Sequence, residues 1–425
     1  MFRSMAYQCI VNGCAAAIFM ILCIRFSSAH ASYAMGLFMV LFLCDLWRSY
    51  RKGCPLFGQL TAAGKKVAYG ICGFYIMLLA GSLCLMDKSS FAVGAELAAL
   101  AVPFFMFLFL RSKYDVDCGM KLGILASSTA IVISSVYLHG FAFLSDPSMA
   151  FLHDRYTGFF AHPNHLGTAL AMLWPFCGCY FLGEKNIGKR MGLGILLLAM
   201  LFCLYATGSR GAIVAFAGGL ILAGCGLFGL RRHVMSVRGK RMLLGGLLLI
   251  CLIVGSAFGW LQINRNEWGK GGGERMLMME SSFEMWRDHP LLGIGLANWQ
   301  TYYYSEEYHP AEGRENALNM PHNMPTYFFS TAGTLGGMAY LLFLALSFWG
   351  IYRTAAQTKN DGLAVAAMAA FWAFTLQGLV DTTIINKIPA RIYFALMGYY
   401  LASGINWQRE KKRVFSEEGQ KSGEK

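Results

Sequence analysis

One histidine and three arginines are the residues in this sequence best suited to chemistry. His322 and Asn323 lie in LNMPHNMPTYFFSTAGTLGG, Leu318 to Gly337, a polar stretch broken by Pro321 and Pro325 that runs without a charge into an apolar segment reaching Tyr352. An imidazole, with its ordinary pKa of about 6.5, can take a proton near neutral pH, and the flanking prolines limit its motion. Taken alone, such a histidine is more often simply hydrogen-bonded where a loop meets a helix. Arg155, Arg210 and Arg275 change its company. Guanidinium forks suit bidentate contact with phosphate oxygens, so several together would hold a diphosphate at a membrane surface, the group that polyprenyl carriers bear. Arg210 sits with Ser209 in TGSRG, Thr207 to Gly211, whose small residues admit close approach of backbone to phosphate, although a tight helical hairpin needs them as well. The plainer alternative pairs Arg155 with Asp154 and Arg275 with Glu274 or Glu280, and leaves Arg210 to cap a helix or touch lipid phosphate.

A metal centre is the competing chemistry, because the nine histidines include His162 and His165 in AHPNHLG. The spacing does not support it. There is no HExxH, and the pair follows Pro163, so Pro163 and Asn164 read instead as a helix break or a pocket wall.

These residues are positioned by membrane helices. The chain has 425 residues, 56% hydrophobic and 14% charged, with a mean hydropathy of +0.47, outside the balance of a soluble domain. Charged residues bracket twelve apolar stretches of about 20 residues, the length a bilayer-crossing helix requires. The first six run from Arg3 to Arg25, Arg25 to Asp45, Lys66 to Asp87, Lys88 to Arg111, Lys121 to Asp146 and Arg155 to Glu184. The second six run from Arg190 to Arg210, Arg210 to Arg231, Arg241 to Arg265, Glu315 to Arg353, Asp361 to Asp381 and Lys387 to Arg409. The first is read as a retained helix because it lacks a small-residue cleavage site.

With twelve spans, the N-terminus, the even-numbered loops and the tail share one face and hold most of the 36 basic residues, which makes that face cytoplasmic. The net charge of +13 is then topological and calls for membrane lipid, not nucleic acid. The thirteen cysteines, none beyond Cys251, read as small apolar helix residues without a disulfide framework. The expected fold is therefore an all-α integral membrane protein, one polytopic domain over residues 1–425. It has one large external loop over residues 264–321, between helices nine and ten, and a charged cytoplasmic tail over 409–425. Within the loop, a flexible Gly269 to Gly273 run precedes a segment from Glu274 to Arg287 that spaces Met276, Met279, Phe283 and Trp286 like an amphipathic helix on a bilayer surface. Gly333, Gly336 and Gly337 are expected to allow close helix packing.

In order along the chain, RYTGFFAHPNHLG, ATGSRGA, ERMLMMESSFEMWRDHPLLGIGLANW, PHNMPTYFFSTAGTLGGMAYL and DTTIINKIPARIYF resemble the O-antigen ligase and Wzy-type polymerase superfamily. They cover about Arg155 to Tyr393. The resemblance implies a GT-C-like glycosyltransferase, free of metal and other cofactors, in a bacterial inner membrane with both termini cytoplasmic and its site on the periplasmic face. Its donor would be a glycan on undecaprenyl diphosphate. It implies His322 as the base for an acceptor hydroxyl, Arg210 and Arg275 as diphosphate ligands with Arg155 beside them, and Asp381 as a supporting acid near the outer end of helix eleven.

Transfer to a lipid A core, as in O-antigen ligation, is the leading expectation, favoured by the single large external loop. Its rivals are a polymerase that extends a second lipid-linked repeat, a protein O-oligosaccharyltransferase, and a twelve-helix transporter. The transporter would need pseudo-symmetric halves and charges at mid-membrane, where Glu96 is the main exception in this chain. If arginines supply the charge that a metal supplies elsewhere, transfer by the purified protein should be unchanged by a chelator. A loss restored by a divalent ion would contradict this.

Overall fold

A computed structural model describes residues 2–24, 30–52, 60–140, 155–232, 236, 237, 245, 270–311, 318–358 and 360–403, and no strand occurs among them. The helices are α1 (Phe2–Cys23), α2 (His30–Lys52), α3 (Ala62–Cys84), α4 (Lys88–Leu100), α5 (Val102–Lys113), α6 (Asp117–His139), α7 (Pro163–Gly183), α8 (Ile187–Ala206), α9 (Arg210–Arg231), α10 (Lys270–Asp288), α11 (Trp299–Tyr303), α12 (Met324–Gln357), α13 (Asp361–Gln377) and α14 (Lys387–Leu401).

Among the described residues, eight spans are long and apolar enough to cross a membrane: α1, α3, α4 with α5, α6, α7, α8, α9 and α12. Three other expected spans are helical but fall short of that standard. Asp45, Arg48, Arg51 and Lys52 make the second half of α2 polar, and α13 and α14 have only 17 and 15 residues. The ninth expected span, Arg241 to Arg265, lies outside the described residues, apart from position 245, as does the tail. The fourth is interrupted at Ala101, two residues before Pro103, whose missing N–H and fixed φ suit a new helix start.

The Gly269 to Gly273 run is not wholly a linker, since α10 already begins at Lys270. Residues in a first helical turn lend only their carbonyls to the turn above, so glycines are tolerated there. Along α10, Met276, Met279 and Phe283 are exposed while Met278, Ser281, Ser282 and Met285 are buried. The Trp286 indole donates to Thr334 Oγ1 at 3.0 Å and its ring packs on Phe329.

Two close approaches set the geometry around the site. First, α9 and α13 run antiparallel with almost no side chain between them: a Cβ on Gly219 would lie 2.7 Å from the Ala369 carbonyl oxygen. This brings the start of α9, at Arg210, beside the end of α13, at Gln377.

Second, α12 is broken at Gly333 (φ 66°, ψ −169°), a conformation open essentially to glycine alone. The break strips the Ser330 and Thr331 carbonyls of their helical donors, and the Thr334 and Leu335 amides of their acceptors. The segment 290–295 replaces all four. Ile294 N donates to Ser330 O at 3.0 Å and Gly295 N to Thr331 O at 2.9 Å, while Thr334 N donates to Pro290 O at 2.8 Å and Leu335 N to Leu291 O at 3.4 Å. Buried peptide groups in an apolar surrounding need such partners. The same segment is tied to the α3–α4 corner, where Asp87 caps α4 and accepts from Asn298 Nδ2 at 2.9 Å.

Gly333 is thus the seat of a backbone exchange, beyond the close packing expected of it. A Cβ there would lie 2.3 Å from the Leu291 carbonyl. Gly333→Ala should therefore cost about 2–4 kcal/mol of stability, read as a lower thermal midpoint of the purified protein. Gly73→Ala, where a Cβ meets nothing within 4 Å, should shift it by less than about 0.5 kcal/mol.

Candidate active site

His322 is built into a pair of interlocked turns. Asn323 caps α12 by accepting from Thr326 N at 2.9 Å, and its Nδ2 donates to Leu379 O at 2.8 Å. Met324 N donates to Gly378 O at 2.7 Å. These contacts zip the turn before α12 to the turn after α13. His322 between them takes a left-handed conformation, φ 50°, rarely occupied by a non-glycine residue. Its Nδ1 then faces Asp381 Oδ1 at 3.1 Å, with the carboxylate 6% exposed and the imidazole 31% exposed.

The Asp381 carboxylate is ionised. Burial works to raise its pKa, but hydrogen bonds from His322, the Thr382 amide (2.7 Å) and Asn164 prevail and hold it below the usual carboxylate range. An ionised carboxylate only accepts, so His322 Nδ1 carries the proton of the pair. The lone pair of the neutral ring therefore falls on Nε2, directed away from Asp381. That is the tautomer a base requires, oriented by a third group.

The arginines converge on a cavity beside this pair. A small polar cavity of about 80 Å³ is lined by Arg155, Arg210 and Arg275, with Asn164, Ser209, Gly211, Gln377 and Val380. Arg155 Nε donates to the Thr207 carbonyl at 2.7 Å and its Nη2 to Asn164 Oδ1 at 3.1 Å, so the guanidinium is fixed to the end of α8 and the start of α7. Gly208 has φ 58°, and Ser209 caps α9 by accepting from Ala212 N at 3.4 Å. Both α7 and α9 begin at this cavity, and their amide ends add positive potential to that of the arginines. Gly211 has no room to be larger, since a Cβ would lie 2.7 Å from Val380 Cγ2 and 2.8 Å from Gln377 Oε1.

The cavity and the His322–Asp381 pair share a wall. Val380 and Gln377 line the arginine cavity, and Gln377 Nε2 approaches Asp381 Oδ2 at 3.5 Å. Asn164 makes the second link, hydrogen-bonded to both Arg155 and Asp381. All seven residues singled out in the sequence, His322, Arg155, Arg210, Arg275, Ser209, Asn323 and Asp381, therefore lie in this one region. Arg275 is exposed and reaches the cavity, while Glu274 beside it is buried.

Sequence reasoning missed Gln377. Its one signal was an amide within the apolar run AFWAFTLQ, four residues before Asp381. His162 caps α7, its Nδ1 accepting from Asn164 N at 3.2 Å. Burial holds its pKa below the usual value, with Asp381 opposing and Arg155, His322 and Arg275 reinforcing that effect. It stands in the site as a neutral ring. Among the described residues no three His, Cys, Asp or Glu side chains are grouped to hold a metal ion.

A depressed Asp381 stabilises the fold above the ordinary carboxylate pKa of about 3.9, and that contribution is lost as pH falls toward the folded value. Wild type should thus be more stable than Asp381→Asn by about 1–3 kcal/mol at neutral pH. In thermal scans the gap should narrow below about pH 4.

No curated protein matches this chain. A family model described as O-antigen ligase (Wzy_C) matches residues 195–341, a span that takes in Arg210, Arg275 and His322 but not Arg155 or Asp381. Over residues 195–341, about a third of its length, this membrane protein is therefore similar to the O-antigen ligase family, and the described residues outside that stretch are helical as well.

Proposed function

We propose that the protein is a membrane glycosyltransferase that moves a glycan from undecaprenyl diphosphate onto an acceptor hydroxyl on the periplasmic face, with a lipid A core as the acceptor. The observation that carries this reading is an adjacency: a cavity bearing three arginines lies beside an imidazole oriented by an ionised carboxylate in the turn that forms the cavity wall.

The roles follow from charge. Arg155, Arg210 and Arg275 hold the diphosphate with the amide ends of α7 and α9, and take up the negative charge that grows as the glycosidic bond breaks. His322 Nε2 removes the proton from the acceptor hydroxyl as its oxygen attacks the anomeric carbon. The electron pair of the broken carbon–oxygen bond leaves with the diphosphate. One displacement inverts the anomeric configuration. Asp381 holds the imidazole in its tautomer and stabilises the imidazolium formed. Asn323 and Ser209 act indirectly, by capping the helices that present His322 and Arg210.

Replacing His322 by Ala should lower transfer about 10²–10⁴-fold, with the protein still inserted and lipid-linked glycan accumulating in cells. Arg210→Lys should not restore what Arg210→Ala loses, because an ammonium cannot reproduce the bidentate fork. Electrophoresis of surface glycans reads both results, and normal surface glycan in both Ala variants would overturn the assignment.

A further inference from the structure

Two amides stand between the arginine cavity and Asp381, and they are used differently. Asn164 is fully engaged: its Oδ1 accepts from Arg155 Nη2 at 3.1 Å, and its amide also meets the Asp381 carboxylate. Gln377, the last residue of α13 and 1% exposed, completes only half of such a bridge. Its Nε2 approaches Asp381 Oδ2 at 3.5 Å, while no donor among the described residues reaches its Oε1. The carboxylate decides which end of the amide faces which way, because an ionised Asp381 only accepts and would repel the oxygen. Oε1 is thereby turned to Gly211, where a Cβ would lie 2.8 Å from it, and both residues line the cavity. An acceptor buried without a donor is costly, so an amide fixed in this state calls for a partner.

The rest of the cavity offers the opposite chemistry. Arg155, Arg210 and Arg275 donate, as do the amide ends of α7 and α9. An ionised diphosphate brings only acceptors, so it cannot pair with the Gln377 oxygen. A ligand that complements the whole wall carries a hydrogen-bond donor next to its diphosphate. In a glycosyl diphosphate the anomeric carbon has two ring neighbours. One is the ring oxygen, which only accepts; the other is the carbon whose hydroxyl or acylamino group can donate.

We infer that Gln377 reads the first sugar of the donor, its Oε1 accepting from a hydroxyl or acylamino N–H on the carbon beside the anomeric centre. The inference rests on the transferase reading and adds a requirement to it: the sugar joined to the diphosphate is substituted at that carbon, not deoxygenated there. The same contact holds the anomeric carbon between the arginines and His322, since Gln377 lies in the cavity wall four residues before Asp381. A hydrogen bond at this position strengthens as the sugar ring gains positive charge in the transition state.

The test is a titration of the purified full-length protein with polyprenyl diphosphate, either bare or carrying glucose, N-acetylglucosamine or 2-deoxyglucose. Wild type should bind the glucosyl or the N-acetylglucosaminyl lipid about fivefold more tightly than the 2-deoxyglucosyl lipid, the worth of one neutral hydrogen bond. The tighter of the two identifies the group read as O–H or N–H. Gln377→Met, of similar length but without the amide, should bring the ratio to about one, and Gln377→Glu, which keeps an acceptor oxygen, should preserve it. Taking the ratio within each protein cancels a general loss of affinity in a variant. Equal affinity of wild type for all three sugars, or an undiminished ratio in Gln377→Met, would overturn the inference, and the first result needs no variant to fold. Failure of wild type to bind the bare lipid would overturn the diphosphate reading itself, and this inference with it.

Discussion

The pairing of two turns, one before α12 and one after α13, is the constraint on which the site depends. Three contacts make it: Met324 N to Gly378 O, Asn323 Nδ2 to Leu379 O, and His322 Nδ1 to Asp381. Two use backbone carbonyls left over at the end of α13, so the helix terminus is satisfied by the same groups that locate the histidine. The third sets the tautomer. Because Gln377 and Val380 in this turn also line the arginine cavity, the contacts that orient the imidazole fix its distance from the arginines.

That pairing is held by two backbone devices deeper in the molecule. Gly219 lets α9 lie directly on α13, which aligns Arg210 with Gln377. The break at Gly333 exchanges four hydrogen bonds with residues 290–295, locking the upper part of α12 to the segment after α10. In water such groups would find partners anywhere, but in hydrocarbon they must be paired within the protein. A broken helix there is a rigid joint. The donor-binding role proposed for Arg275 rests on this joint, since Arg275 reaches the cavity from α10, the helix that leads into the exchanged segment.

Much of this was legible in the sequence, for identifiable reasons. Long apolar runs bounded by charge have one solution in a bilayer, so eight of the twelve expected spans recur as helices long and apolar enough to cross it, while α2, α13 and α14 fall short of that standard and the ninth lies outside the described residues. The grouping of His322 with three arginines followed from their chemistry, a base beside forks that suit a diphosphate. Less readable were features that depend on tertiary backbone geometry. The positive φ of His322, the pairing of Gly333 with segment 290–295 and the start of α10 within its glycines are of this kind, because no side-chain pattern encodes which loop will accept a carbonyl. Asp381 emerged only through family resemblance, and Gln377 not at all, since a lone amide near a helix end is chemically unremarkable until its neighbours are known.

The central claim separates binding from chemistry: arginines hold the diphosphate, and His322 moves the proton. The most direct measurement is the affinity of a polyprenyl diphosphate for purified wild type, His322→Ala and Arg210→Ala, without acceptor. The account predicts that His322→Ala binds as wild type does, and that Arg210→Ala binds about tenfold or more weakly, the loss of one charge-assisted contact worth about 1.5–3 kcal/mol. Equal affinity in all three proteins, or a loss confined to His322→Ala, would contradict it.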